Sequence, residues 1–224
     1  MALTAQADYN DANSLSARLR ARRLRVFLEM VRACHRRQGY CRVIDVGGTL
    51  AYWAHVPDAF FAEHACEVTV VNLDNSAQPT ARPSLRAQQG DGCALAFADN
   101  AFDIAHSNSV IEHVGDAART RAFADEIRRV APQYYVQTPN YWFPVEPHYL
   151  APGVQFLPRA WQAELLYRVP LGRIDRPQTR AQARCFVDDI RLLRRRDMAR
   201  LFPDAALVAE RWYGLNKSWI AVRR

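Results

Sequence analysis

"RVIDVGGTLAYW", residues 42–53, opens on branched apolar residues and turns on two glycines. Arg42 to Val46 has the content of a buried strand, and Gly47-Gly48 marks a tight turn after it. In a βαβ nucleotide site the glycines after the first strand let the backbone approach the ligand, and the next helix offers its amides. Asp45 precedes the pair, but Thr49 and Ala51 stand where further glycines would complete the fingerprint. The stretch alone is a weak signal, because a strand that simply ends in a turn explains it as well.

Working outward, Leu15, Leu19, Val26, Phe27, Met30, Val31 and Cys34 fall at near-helical spacing among arginines, which predicts an amphipathic helix over 15–37 ending at Gly39. Residues 50–64 fit a helix despite Pro57. "EVTVVNL" (67–73) reads as a second buried strand, "LRAQQGD" (85–91) as a short third, and "AFDIAHSNS" (101–109) as a fourth. "VIEHVGDAARTRAFADEIRRVA" (110–131) has helical periodicity with a break point at Gly115, and "QYYVQTP" (133–139) is a fifth strand. Strands alternating with helices imply βαβ crossovers and a mostly parallel sheet. Residues 140–182, rich in proline and aromatics, read as an irregular lid-like insertion with a short helix at 159–168. A helix over about 188–201 and two strands in "AALVAERWYG" and "KSWIAVRR", antiparallel to each other, complete the pattern.

The 224 residues suit one α/β domain with an appendage, and no apolar run approaches the ~20 residues of a membrane span. "MALTAQADYNDANS" has neither a basic n-region nor an apolar h-region, so a cytoplasmic protein is expected. The five cysteines are scattered without a CxxC pair, which argues against a disulfide framework or a zinc site. Lys217 is the sole lysine, so the net charge of +7 is almost wholly arginine. The densest runs, "RLRARRLR" (18–25) and "RLLRRR" (191–196), carry leucines at helical spacing. They read as solvated helix faces, with RNA or anionic lipid as the second reading. Asn72 and Asp74 close the second strand about 25 residues after the turn, close to the spacing at which an acid meets a ribose. A strand end capped by Asx turns fits them equally.

"GDGCALAFADNAFDIAHSNSVIEHV", residues 90–114, is similar to the class I S-adenosylmethionine-dependent methyltransferases of the small-molecule, type 11-like kind. Asp91, Leu95, Phe97, Asp99, Phe102, Asp103, Glu112 and His113 fall into that family's pattern. The resemblance implies a Rossmann-like, doubly wound, seven-stranded α/β sheet, mostly parallel with its last strand antiparallel. It also implies a single methyltransferase domain over 1–224. That domain would comprise a helical cap (1–39), a cofactor-binding core (40–139), a lid and substrate insertion (140–182), and a C-terminal helix and strand pair (183–224). The implied cofactor is S-adenosyl-L-methionine. Asp45 would belong to its site, with Gly47 and Gly48 against the methionine part. Asn72, Leu73 and Asp74 would stand at the ribose, Asp91 and Gly92 at the adenine, and Ser107 and Asn108 beneath the methyl group. The family's G-x-G-x-G is here G-G-T-L-A, and its ribose acid is an amide or displaced.

Methyl transfer needs in-line alignment and exclusion of water, and it needs a base only where the acceptor carries a proton at neutral pH. His113 and His148 are the candidate bases. Glu112, Trp142, Phe143, Glu146 and Tyr149 are expected at the acceptor, as is Trp161 unless it only packs the core. "IEHV" with Glu146 and His148 also resembles the Glu-His plus His arrangement of the small-RNA 3′-end 2′-O-methyltransferases. That set's first carboxylate falls on Ser109, a poor ligand, and no metal is expected. The expected activity is O- or N-methylation of a small-molecule acceptor, with a homodimer as the candidate assembly. The alternatives are a non-catalytic S-adenosylmethionine-binding regulator and an RNA methyltransferase that uses the arginine faces.

Overall fold

A computed structural model describes residues 15–73, 82–172 and 176–224. The chain runs through α1 (Leu15–Gln38), β1 (Cys41–Val46), α2 (Leu50–Trp53), α3 (Asp58–Glu63), β2 (Cys66–Asn72), β3 (Leu85–Gln89) and β4 (Ile104–Asn108). It continues through α4 (Ala117–Val130), β5 (Gln133–Pro139), β6 (Val145–Glu146), β7 (Ala151–Pro152), α5 (Arg159–Arg168) and α6 (Arg180–Asp188). It ends with α7 (Arg195–Leu201), β8 (Ala206–Trp212) and β9 (Leu215–Arg223). Seven strands form one sheet in the order β3-β2-β1-β4-β5-β9-β8, and β6 and β7 pair as a separate hairpin. The first five strands pair in parallel, and β9 runs antiparallel to both β5 and β8. The expected architecture is therefore present. No helix among the described residues is long and apolar enough to cross a membrane.

The sheet is buried on both faces, and the alternation along β1 shows why its sequence is nearly all apolar. Cys41 and Val43 join the core under α1, α2 and α3, with Phe27, Val31, Trp53 and Phe61. Ile44 and Val46 point the other way, into the core under α4 and α7, with Phe123, Ile127, Met198 and Phe202. From β1 the chain works outward to β2 and β3, then crosses back to β4 on the other side of β1. That reversal opens a crevice at the carboxyl ends of β1 and β4, where open parallel sheets bind their ligands.

Two local expectations change, and the break expected at Gly115 holds. Pro57 divides 50–64 into α2 and α3, itself standing extended just before α3. Gly115, at φ +110°, separates a 3-10 turn at Ile111–His113 from α4, which Asp116 caps by accepting the Arg119 N–H at 2.9 Å. Of the helix expected at 188–201 only α7 (Arg195–Leu201) forms; residues 189–194 are a non-helical link from α6, which ends at Asp188. In that link Leu193 is buried and its carbonyl accepts from Tyr141 N at 3.0 Å, while Arg191 N donates to Glu112 O at 2.8 Å. Hence "RLLRRR" is not a helix face. The insertion is also more ordered than its prolines suggest. The β6–β7 hairpin, α5 and α6 close a small core of their own around Tyr149, Ala163, Leu166, Ala183 and Val187.

The segment between β3 and β4 is irregular, and α4 holds it in place. Arg129 donates to the carbonyls of Phe97 (2.7 Å) and Leu95 (3.0 Å), and Glu126 accepts the Leu95 N–H at 2.6 Å. Bonding to Arg129 is the main cause that holds the Glu126 carboxyl below its ordinary value. Because the folded value is depressed, the stabilisation is full above the ordinary 4.5 and is lost as pH falls through the folded value. Glu126→Gln should therefore lower the unfolding free energy by about 1–2 kcal/mol at pH 7. Urea unfolding should show this deficit shrinking at pH 3, and a deficit independent of pH would contradict the assignment.

Candidate active site

The glycine turn sits on a buried carboxylate. Asp45, 1% exposed, accepts the Trp53 Nε1–H at 2.8 Å on Oδ2 and lies 2.7 Å from His106 Nδ1 through Oδ1. A Cβ on Gly48 would lie 1.8 Å from Asp45 Oδ2, so the turn rests directly on that oxygen. Gly47 is at φ +78°, and a Cβ there would meet Val110 at 2.3 Å. Thr49 is extended and precedes α2, a conformation that needs no glycine. Asp45 is thus placed under the turn, with both oxygens engaged by the protein. Asn72 donates from Nδ2 to Gly48 O (3.1 Å) and Gly47 O (3.4 Å). An amide at this strand end can tether the turn's carbonyls, which a carboxylate cannot. Gly48→Ala should cost about 2 kcal/mol by forcing the pinned carboxylate aside. A thermal melt that matches wild type would show that the turn does not rest on Asp45.

The remaining expected cofactor residues divide into two sets. Asp91 and Gly92 lie together past β3, Asp91 bonded to Cys93 N at 2.9 Å and to Arg119 Nη2 through both oxygens at 3.0 Å. The Cys93 amide and Arg119 keep its carboxyl below the ordinary value despite partial burial. A side chain at Gly92 would collide with Phe123 and Val46. Leu73 is exposed, and Asp74 lies outside the described residues. Ser107 is turned into the sheet, donating to Val46 O at 3.0 Å. Asn108 ends β4, and its Oδ1 is buried with no protein partner. A buried acceptor without a donor, at the mouth of the crevice, fits a cofactor with an ammonium group, as S-adenosylmethionine has.

The second half of the site comes from two elements far apart in the chain. The 3-10 turn after β4 carries Glu112 and His113, and the β6–β7 hairpin carries Glu146 and His148. Glu112 is 1% exposed; Oε2 accepts the Thr138 hydroxyl at 2.9 Å, while Oε1 is buried without a partner. Burial pushes the Glu112 carboxyl up. Glu146 braces its hairpin, accepting from His148 N (2.7 Å) and Tyr149 N (2.6 Å) on Oε2. Its Oε1 lies 2.7 Å from His148 Nδ1, which assigns the Nδ1 proton to that bond. His148 Nε2 then faces His113 Nε2 at 3.1 Å, with the rings edge to face. Burial and then the charge of His148 push His113 down to about 4. Burial alone would lower His148 as well, but the bond to Glu146 and its charge outweigh this and raise it.

Of the residues expected to wall the acceptor, Glu112, Glu146 and Tyr149 are near the imidazoles, but the aromatics are not gathered there. Phe143 is buried against Trp212, with ring centroids 6.0 Å apart. Trp142 is 60% exposed, with the Arg194 guanidinium 5.2 Å from its ring, and Trp161 is 69% exposed on α5. A cleft of about 340 Å³ opens beside Glu146, lined by Tyr141, Tyr149, Gln155, Arg159, Arg191 and their neighbours. Gln155, Thr138 and Arg191 carry no motif and lie outside the residues expected from sequence. In proton NMR titrations of the protein alone, one imidazole should titrate near 4 and a second above 6.5. Glu146→Gln should bring the second down, and two rings titrating alike would show that the imidazole contact is absent.

Residues 44–133 match the family model described as "Methyltransferase domain". No curated protein matches the chain. Among solved structures, the PH0226 protein of Pyrococcus horikoshii is 17% identical with a TM-score of 0.52, covering 96% of this chain and 93% of that one. A protein from Rhodobacter sphaeroides described as a putative Zn-dependent alcohol dehydrogenase is 13% identical with a TM-score of 0.53, covering 83% and 85%. At these identities the likeness shows the fold alone, whatever activity a name carries. The magnesium protoporphyrin IX methyltransferase of Synechocystis, solved with bound SAH, is 11% identical with a TM-score of 0.48, covering 94% and 88%. The matched segment runs from β1 to the start of β5, through both the glycine turn and the Glu112-His113 turn; over residues 44–133 the chain carries a methyltransferase domain, and it is an enzyme that uses S-adenosylmethionine.

Proposed function

We propose that the enzyme transfers a methyl group to a hydroxyl of a small-molecule acceptor docked beside Glu146. The observation that carries this reading is the Glu146–His148–His113 line, because a base is of use only where the acceptor must lose a proton. When bound, S-adenosylmethionine supplies a methyl group on a sulfonium, already a strong electrophile. The backbone of the Gly47-Gly48 turn, Asn72, Asp91 and Asn108 would hold the cofactor. The acceptor enters the cleft lined by Tyr141, Tyr149 and Gln155, whose volume suits a small molecule better than a polymer. His148 Nε2 would take the hydroxyl proton while the acceptor oxygen displaces the methyl group from the sulfonium, with S-adenosylhomocysteine as the leaving group. Glu146 Oε1, already on Nδ1, stabilises the imidazolium that forms.

The test is transfer of a labelled methyl group to a panel of hydroxylated and amino metabolites, with RNA as a separate arm. His148→Ala should lower transfer by about 10²- to 10⁴-fold while leaving binding of the demethylated cofactor unchanged. Undiminished transfer in His148→Ala would refute the role of that residue. Transfer to RNA alone, with steep salt dependence, would favour an RNA methyltransferase. Cofactor binding without transfer to any acceptor would favour a regulator.

A further inference from the structure

The cleft beside Glu146 holds two polar groups to which the protein gives no partner. Gln155, 7% exposed, lines it from the 3-10 turn Val154–Phe156 that follows β7. Its Nε2 donates to Phe143 O at 2.6 Å and Tyr141 O at 3.5 Å, so the amide cannot turn without setting its oxygen against two carbonyls. Oε1 is thereby fixed as an acceptor, and it is buried with no donor among the described residues. Such an oxygen costs free energy until a donor reaches it. Arg191 lines the same cleft from the link between α6 and α7. Its backbone N–H is pinned to Glu112 O at 2.8 Å, which fixes where the side chain starts relative to the Glu112-His113 turn. Its guanidinium has neither an ion pair nor a hydrogen bond among the described residues. The other charged groups lining the cleft are engaged. Arg159 donates to Val187 O at 2.7 Å and Ile190 O at 3.3 Å, and it pairs with Asp188 at 3.1 Å. Glu146 takes two amides and the His148 ring. One positive charge is left unmatched, that of Arg191.

We propose that the acceptor is a hydroxylated carboxylic acid with one further N–H or O–H donor. Its carboxylate pairs with Arg191, and the further donor bonds Gln155 Oε1. The inference rests on the reading of this cleft as the acceptor's place and of His148 as its base, and it names the class of molecule that fills the cleft. A guanidinium presents parallel N–H donors that match the two oxygens of a carboxylate, and one unpaired cation meets one unit of charge. A phosphate dianion would leave a charge unmet. A neutral acceptor would displace water from Arg191 and return no bond in exchange. Tyr141, Leu157 and Ile190 supply the apolar wall against which the carbon frame lies. With its carboxylate on Arg191, the acceptor offers His148 a hydroxyl and not an acid oxygen, so the product is an ether and the carboxylate stays free.

The experiment is calorimetric titration of the full chain, with S-adenosylhomocysteine present, with 3,4-dihydroxybenzoate and a panel of other aromatic and aliphatic dihydroxy acids. Each acid is compared with its carboxamide and with its monohydroxy counterpart. The expected result is binding of at least one dihydroxy acid, about 10- to 100-fold tighter than its carboxamide. Arg191→Gln should abolish that difference, and Arg191→Lys should restore part of it. Gln155→Met should remove the preference over the monohydroxy acid, with circular dichroism to show that the variant folds. Arg191 is exposed, so its variants decide the matter even where the Gln155 variant does not fold. Carboxamides bound as tightly as acids, no acid bound at all, or an acid preference that survives Arg191→Gln overturns the proposal. A phosphorylated analogue bound more tightly than the acid, or a methyl ester as the product, overturns it too. Acid binding that depends on Arg191, without methyl transfer, would uphold the recognition and sink the proposed reaction. Transfer to a neutral acceptor, undiminished by Arg191→Gln, would uphold the reaction and sink the recognition.

Discussion

A single carboxylate under the glycine turn ties together the parts on which the site depends. Asp45 is on β1, its indole partner Trp53 ends α2, and its imidazole partner His106 is on β4. Those are the three elements that frame the crevice at the reversal of strand order. Burying a carboxylate is costly, and here each oxygen receives a bond in compensation. Gly48 has no side chain because that oxygen takes the space, and Gly47 has none because of its positive φ and Val110 above it. Asn72 closes the arrangement from β2 by holding both glycine carbonyls. The shape of the turn is thus held by the protein from below and beside.

The other half of the site follows from the parallel sheet. Parallel strands deliver their carboxyl ends to one edge, so the turn after β4 and the hairpin after β5 emerge side by side there. His113 and His148, 35 positions apart, meet because the hairpin folds back over the Glu112 turn and the Arg191–Leu193 link backs both. Glu146 gives the hairpin rigidity that a two-residue strand pair would otherwise lack, since it receives two amide donors and one imidazole.

The fold was legible in the sequence because its signals are local. Runs such as Val43–Ile44 and Tyr134–Val136 are buried on both faces and read as apolar blocks, and α4 shows its apolar stripe plainly. The site was legible only as a set of residue types. Glu112, His113, Glu146 and His148 could be listed, but which nitrogen faces which depends on a hairpin whose return no periodicity records. Asn72 looked like a weakened ribose ligand, and its bonds to the turn explain an amide there. "RLLRRR" misled because two leucines among arginines satisfy a helical pattern, whereas Leu193 is buried by a backbone bridge to Asn140. Phe143 and Trp142 were expected to wall a pocket on composition alone. One is core, and the other is an exposed ring beside Arg194.

The central proposal is that the crevice holds S-adenosylmethionine through the glycine turn and the β4 end. Calorimetric titration of the protein with S-adenosylhomocysteine tests it most directly. The account predicts one site per chain, weakened about 10-fold by Asn108→Ala, which removes the buried acceptor left without a protein partner. Absence of binding by a folded protein, or affinity untouched by that substitution, would contradict it.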